Sequence, residues 1–122
     1  MMESKTQSDG KHAVLLLVRY TSEFRLEALY ARYLRLSFVP TVGMQFLRSG
    51  TNSMWTSGAG ELDPPMVESV IYDLDGSDDG KTEEGVIVCS FTVTEPLIAA
   101  FWGDPIQAFD IENTIYREYL PK

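Results

Sequence analysis

The chain has 122 residues, 44% of them hydrophobic, and a formal net charge of -8. That is the size of one ordinary domain with apolar material for a core, and no apolar run approaches the roughly 20 residues that a membrane-spanning helix needs. The acidic balance repels phosphate backbones and sets nucleic acid aside as a partner, while the single cysteine, Cys89, excludes an internal disulfide framework and points to a cytoplasmic location.

In chain order, residues 1–11 (MMESKTQSDGK) are polar and mixed in charge and read as a disordered tail, which leaves residues 12–122 as one domain. Residues 12–21 (HAVLLLVRYT) are nearly continuous in aliphatic side chains, the pattern of a strand buried in the middle of a sheet. Thr21 and Ser22 then offer a helix cap, and Leu26, Leu29, Tyr30 and Tyr33 fall at i, i+3, i+4 and i+7, with Arg25 and Arg32 to one side. The spacing predicts a helix over about 22–34. Leu34, Leu36 and Phe38 alternate, as do Val42, Met44 and Phe46 after Pro40. Either the helix ends near 36 and a strand covers 41–48, the favoured reading, or one long bent strand runs over 34–48 with a break at Pro40.

Residues 49–65 (SGTNSMWTSGAGELDPP) have no period and read as a long loop. Trp55 lies inside it. A ring of that size on a polar loop either docks onto the core or waits for a partner, and burying one tryptophan does not offset the ordering of seventeen residues. Residues 66–74 (MVESVIYDL) and 85–93 (GVIVCSFTV) read as two strands. In the second, Ile87, Cys89, Phe91 and Val93 share one face and Val86, Val88, Ser90 and Thr92 the other. Pro96 opens a short helix that ends at Gly103, and Asp104-Pro105 opens a longer one with Ile106, Phe109, Tyr116 and Leu120 on one side. The resulting fold class is α+β: a mostly antiparallel sheet of about four strands packed against a long helix, with C-terminal helices.

Residues 73–85 (DLDGSDDGKTEEG) raise the question of calcium. A loop of the EF-hand kind needs glycine at its sixth position and a bidentate glutamate at its twelfth. Counting from Asp73 places Asp78 at position six, and counting from Asp75 places Val86 at position twelve. Each register fails, and both flanks read as strands, so the stretch is a hairpin loop with turn dipeptides Asp75-Gly76 and Asp79-Gly80. Asp73, Asp75 and Asp79 remain only weak metal candidates.

Other chemistries find little footing. His12 and Cys89 are the only residues of their kinds, and a thiol in mid-strand beside Phe91 and Val93 is normally buried and inert. Arg19 interrupts the apolar first strand and calls for a partner, with Glu68 the candidate, unless it serves an anion pocket. No catalytic group and no cofactor is assigned. Charge is segregated: residues 11–48 carry six basic side chains against Glu23 and Glu27, and residues 49–122 carry fourteen acids against Lys81, Arg117 and Lys122. This favours a non-enzymatic binding or regulatory domain that works through protein contacts, with a basic partner or a second copy of the chain as the occupant. One alternative is a small-molecule domain or enzyme with a pocket between helix and sheet, lined by Tyr30, Tyr33, Trp55 and Trp102. Another is an acidic inhibitor of a basic enzyme.

Overall fold

The computed structural model describes residues 11–48, 53–74, 85–98 and 100–119. In chain order the strands are β1 (His12–Ser22), β2 (Arg25–Leu36), β3 (Thr56–Ser57), β4 (Gly60–Glu61), β5 (Ser69–Asp73), β6 (Val86–Val93) and β7 (Ile106–Gln107), followed by 3-10 turns at Ala108–Asn113 and Ile115–Tyr119. The main sheet has the order β5-β6-β1-β2-β7, and β3 pairs with β4 in a separate two-stranded ladder. β6 runs parallel to β1, while the β1–β2, β2–β7 and β5–β6 pairings are antiparallel.

The fold is therefore a mixed β-sheet with little helix, and the α+β expectation is overturned: no α-helix occurs among the described residues. The predicted helix over 22–34 is β2. Its apolar residues fit a helical stripe only because β2 is covered on both faces. Tyr30 packs on one face with Val14, Leu16 and Val18, while Leu29 and Tyr33 pack on the other with Leu15 and Leu17. Two-sided burial removes the polar alternation that would have announced a strand. Where a short helix is predicted from Pro96, the described residues form an isolated bridge at Leu97 and a turn over 100–102 that ends at Gly103. The predicted strand over 41–48 is irregular, with one bridge between Gln45 and Met66, a Gly43 N–H bond to the Val67 carbonyl, and a turn at Gly43, whose φ is 91°.

The C-terminal segment is helical only in 3-10 form, and this changes which side chains face the sheet. With three residues per turn, positions i and i+3 eclipse. Ile111 is buried, and Tyr116 and Tyr119 pack beside it against Leu15, Leu17 and Val88. Phe109, expected on the inner side, points to solvent. The described parts of 37–68 and 94–102 cover the opposite face and bring Met54, Trp55, Val67, Leu97, Phe101 and Trp102 onto Val14, Leu16, Cys89 and Phe91. β1 sits in the middle of the sheet, as its unbroken aliphatic run requires, with Val14 to Val18 all buried. Among the described residues no helix is long and apolar enough to cross a membrane. The expected N-terminal tail lies outside the described residues apart from Lys11.

The β1–β2 hairpin turns on two residues in left-handed backbone, Glu23 at φ 53° and Phe24 at φ 67°. A two-residue loop of this kind suits Asn-Gly, because a Cβ in that region costs about 1–2 kcal/mol. Phe24 is fully exposed, so its ring returns no burial. Glu23→Asn with Phe24→Gly is expected to stabilise the protein by about 1 kcal/mol, after the extra unfolded-state freedom of glycine is subtracted. A higher urea midpoint at unchanged slope is the expected readout; an unchanged or lower midpoint would show that the tip is not strained.

Candidate functional site

Three of the five expected contact residues come together, but as core. The Trp55 ring lies 5.6 Å from Trp102 and 5.5 Å from Phe91, and Tyr30 lies 6.4 Å from Trp102. Trp55 is 0% exposed, so it docks fully and is no contact surface. Each polar end is also used. Trp55 Nε1 donates to the Phe46 carbonyl at 2.7 Å, and Trp102 Nε1 donates to the Met54 carbonyl at 2.6 Å. The Tyr30 hydroxyl donates to the Leu97 carbonyl at 3.1 Å and accepts from the Leu97 N–H at 2.9 Å. Tyr33 packs on the other face of the sheet. Among the described residues no α-helix lies beside the sheet to form the far wall of the expected pocket, and Tyr30, Trp55 and Trp102 are buried in the core.

Arg19 is paired. Its guanidinium binds the Glu68 carboxylate, and Nη2 also donates to Thr92 Oγ1 at 3.2 Å, while that hydroxyl donates to Glu68 at 2.9 Å. β1 and β6 place Arg19 opposite Thr92, and Glu68 reaches both from just before β5. The triad closes a polar end of an otherwise apolar sheet face, so Arg19 serves the fold there.

Cys89 is buried opposite Leu16, four residues along β1 from the exposed His12. At about 3.3 Å per residue that separation is roughly 13 Å, too far for the imidazole to take the thiol proton. Burial pushes the thiol up to about 12 from its ordinary 9.0. The unfolded chain loses that proton first, so between those values it binds fewer protons than the folded protein, and stability falls as pH rises through the window. Burial also raises Tyr30, Tyr116 and Tyr119, which extends the loss to higher pH. The urea midpoint is expected to drop steadily above pH 9, and Cys89→Ala to flatten the first part of that drop. An equally steep fall in the variant would place the thiol in contact with water.

Of the three weak metal candidates, Asp73 accepts a hydrogen bond from the Tyr119 hydroxyl at 2.7 Å, and Asp75 and Asp79 lie outside the described residues. The flanks of the acidic stretch are the adjacent antiparallel strands β5 and β6, the setting of a hairpin. No group of three metal-ligating side chains occurs among the described residues.

Two surface features were not foreseen. The first is the outer edge of the sheet. β5 is the terminal strand and pairs only with β6 among the described residues. Ile71 is 43% exposed and Tyr72 60%, on opposite faces of that strand, with Leu74 at 72% just beyond it. The sequence announces a strand here, but nothing local says that it is an edge. The second is a shallow depression of about 160 Å³ lined by Arg32, Arg48, Ala100 and Phe101. Arg32 was expected on the flank of a helix, and strand geometry instead puts it on the same sheet face as Tyr30. No protein-family model, curated protein or solved structure matches the chain.

Proposed function

We propose that this chain is a non-enzymatic protein-contact domain that takes an extended segment of a partner along the outer edge of β5. The observation that carries this is the exposed, apolar edge strand itself. Soluble proteins blunt such edges with lysine, proline or a covering element, because the unpaired N–H and C=O groups template further strand pairing. β5 (SVIYD) has neither lysine nor proline and presents Ile71 and Tyr72 to solvent on its two faces. Strand addition draws affinity from main-chain hydrogen bonds and specificity from alternate side chains, and these two residues offer one apolar contact on each side.

Charge favours a basic segment. Asp73 ends β5, and the chain that follows contributes Asp75, Asp78, Asp79, Glu83 and Glu84 against Lys81. Such a concentration of one sign steers a cationic partner and makes association sensitive to salt. Selection from a random peptide display library tests the reading. Enriched peptides are expected to alternate apolar with Lys or Arg residues, to slow amide exchange in residues 69–73, and to lose binding to Ile71→Lys/Tyr72→Lys. Peptides that bind the double variant equally well, or that protect amides elsewhere, would refute it.

A further inference from the structure

We propose that Arg32, Arg48 and Phe101 form a binding site for the phosphoryl group of a small ligand, separate from the β5 edge. Both guanidiniums lie over one ring. The Arg32 Cζ lies 4.2 Å and the Arg48 Cζ 5.5 Å from the Phe101 centroid, so the two cations are no more than about 10 Å apart. Phe101 is buried and fixed edge-on against Trp102 at 4.9 Å, which makes it a rigid platform. Arg32 Nη1 donates to the Phe101 carbonyl at 2.5 Å. That bond uses one of its five N–H donors and orients the rest. Arg48 makes no side-chain hydrogen bond among the described residues, and neither arginine meets a carboxylate there.

Two like charges converging on one depression repel each other. In a chain of net charge -8, nearby acids could have neutralised them, and among the described residues none does. A ligand that supplies two negative charges and several acceptors relieves the repulsion and fills the unused donors. That description fits a phosphoryl dianion better than a carboxylate, which a single guanidinium fork already satisfies. Acidic side chains beyond about 10 Å are largely screened at ordinary ionic strength. The Phe101 platform and Arg32 are already in place, so little freedom of those two side chains remains to be lost on binding.

The test follows the arginine Nε–Hε resonances of the protein by NMR during titration with inorganic phosphate, with sodium chloride and acetate at matched ionic strength. Phosphate is expected to move the Arg32 and Arg48 signals along a saturating curve, with a dissociation constant on the order of 1 mM or tighter. Acetate is expected to bind at least about tenfold more weakly, and chloride to produce no saturation. Arg48→Gln removes an exposed side chain without a hydrogen bond of its own, so the fold is retained, and it is expected to weaken phosphate at least about tenfold. Ile71→Lys/Tyr72→Lys is expected to leave phosphate binding unchanged, which separates this site from the proposed strand edge. Equal effects of phosphate, acetate and chloride would overturn the proposal, as would unchanged affinity in Arg48→Gln.

Discussion

Trp55→Ala is expected to destabilise the protein by about 3–5 kcal/mol and by at least as much as Phe91→Ala. The indole is fully enclosed between Phe91 and Trp102, and its removal leaves a large cavity on the main hydrophobic face. The Phe46 carbonyl also loses its Nε1 donor. Because a domain of this size has only about 5–15 kcal/mol of total stability, this substitution removes a large share of it. Urea denaturation of both variants supplies the comparison. A cost below about 1 kcal/mol for Trp55→Ala would mean that the 53–62 segment is an appendage and not core.

Tyr30→Phe is expected to cost roughly 2–4 kcal/mol although it deletes a single oxygen. That hydroxyl satisfies both the N–H and the carbonyl of Leu97, a buried residue in the 94–102 segment. The neighbouring Ile98 N–H is bonded to the Thr56 carbonyl in the bridge that sets Leu97 beside Ser57, and the Leu97 N–H and carbonyl turn toward Tyr30. Removing the hydroxyl leaves a donor and an acceptor unpaired in the core, and each carries its full desolvation penalty. Faster exchange of the Ile98 amide, beyond the global loss of stability, is expected as the segment loosens. Stability within about 0.5 kcal/mol of the parent would show that water replaces the hydroxyl at no cost.

Trp55 also shows why an ordering argument made on one loop fails. Seventeen residues with few apolar side chains do not order themselves around one ring. The structure shares the task between two segments distant in sequence. Trp102 packs on Trp55 and bonds to Met54, Ile98 bonds to Thr56, and Leu62 returns to the Trp55 carbonyl at 2.9 Å. Residues 53–57 and Leu97, Ile98 and Trp102 thus supply each other's polar and apolar partners, a dependence that no window of sequence contains.

By itself the sequence determined β1 and β6. Both carry β-branched and aliphatic runs too short for a buried helix, and the two faces of β6 divide as the alternation of Ile87, Cys89, Phe91 and Val93 requires. It also supplied the Arg19–Glu68 pairing, since a charge inside an apolar strand must find a counter-charge. Only the tertiary structure decided β2. Its residues are good helix formers at helical spacing, but β1 needs a hydrogen-bonded neighbour on the side away from β6, and that pairing over eleven residue pairs outweighs local propensity. The turn residues Glu23 and Phe24 gave no hairpin signal, because they hold a backbone shape that asparagine and glycine normally mark. The two candidate surfaces also exist only in three dimensions. The edge position of β5 depends on which strands lie beside it, and the Arg32–Arg48–Phe101 cluster joins residues sixteen and fifty-three positions apart in the chain. Proximity of that kind is a property of the packed chain, because it arises only when strands and covering loops exclude water together.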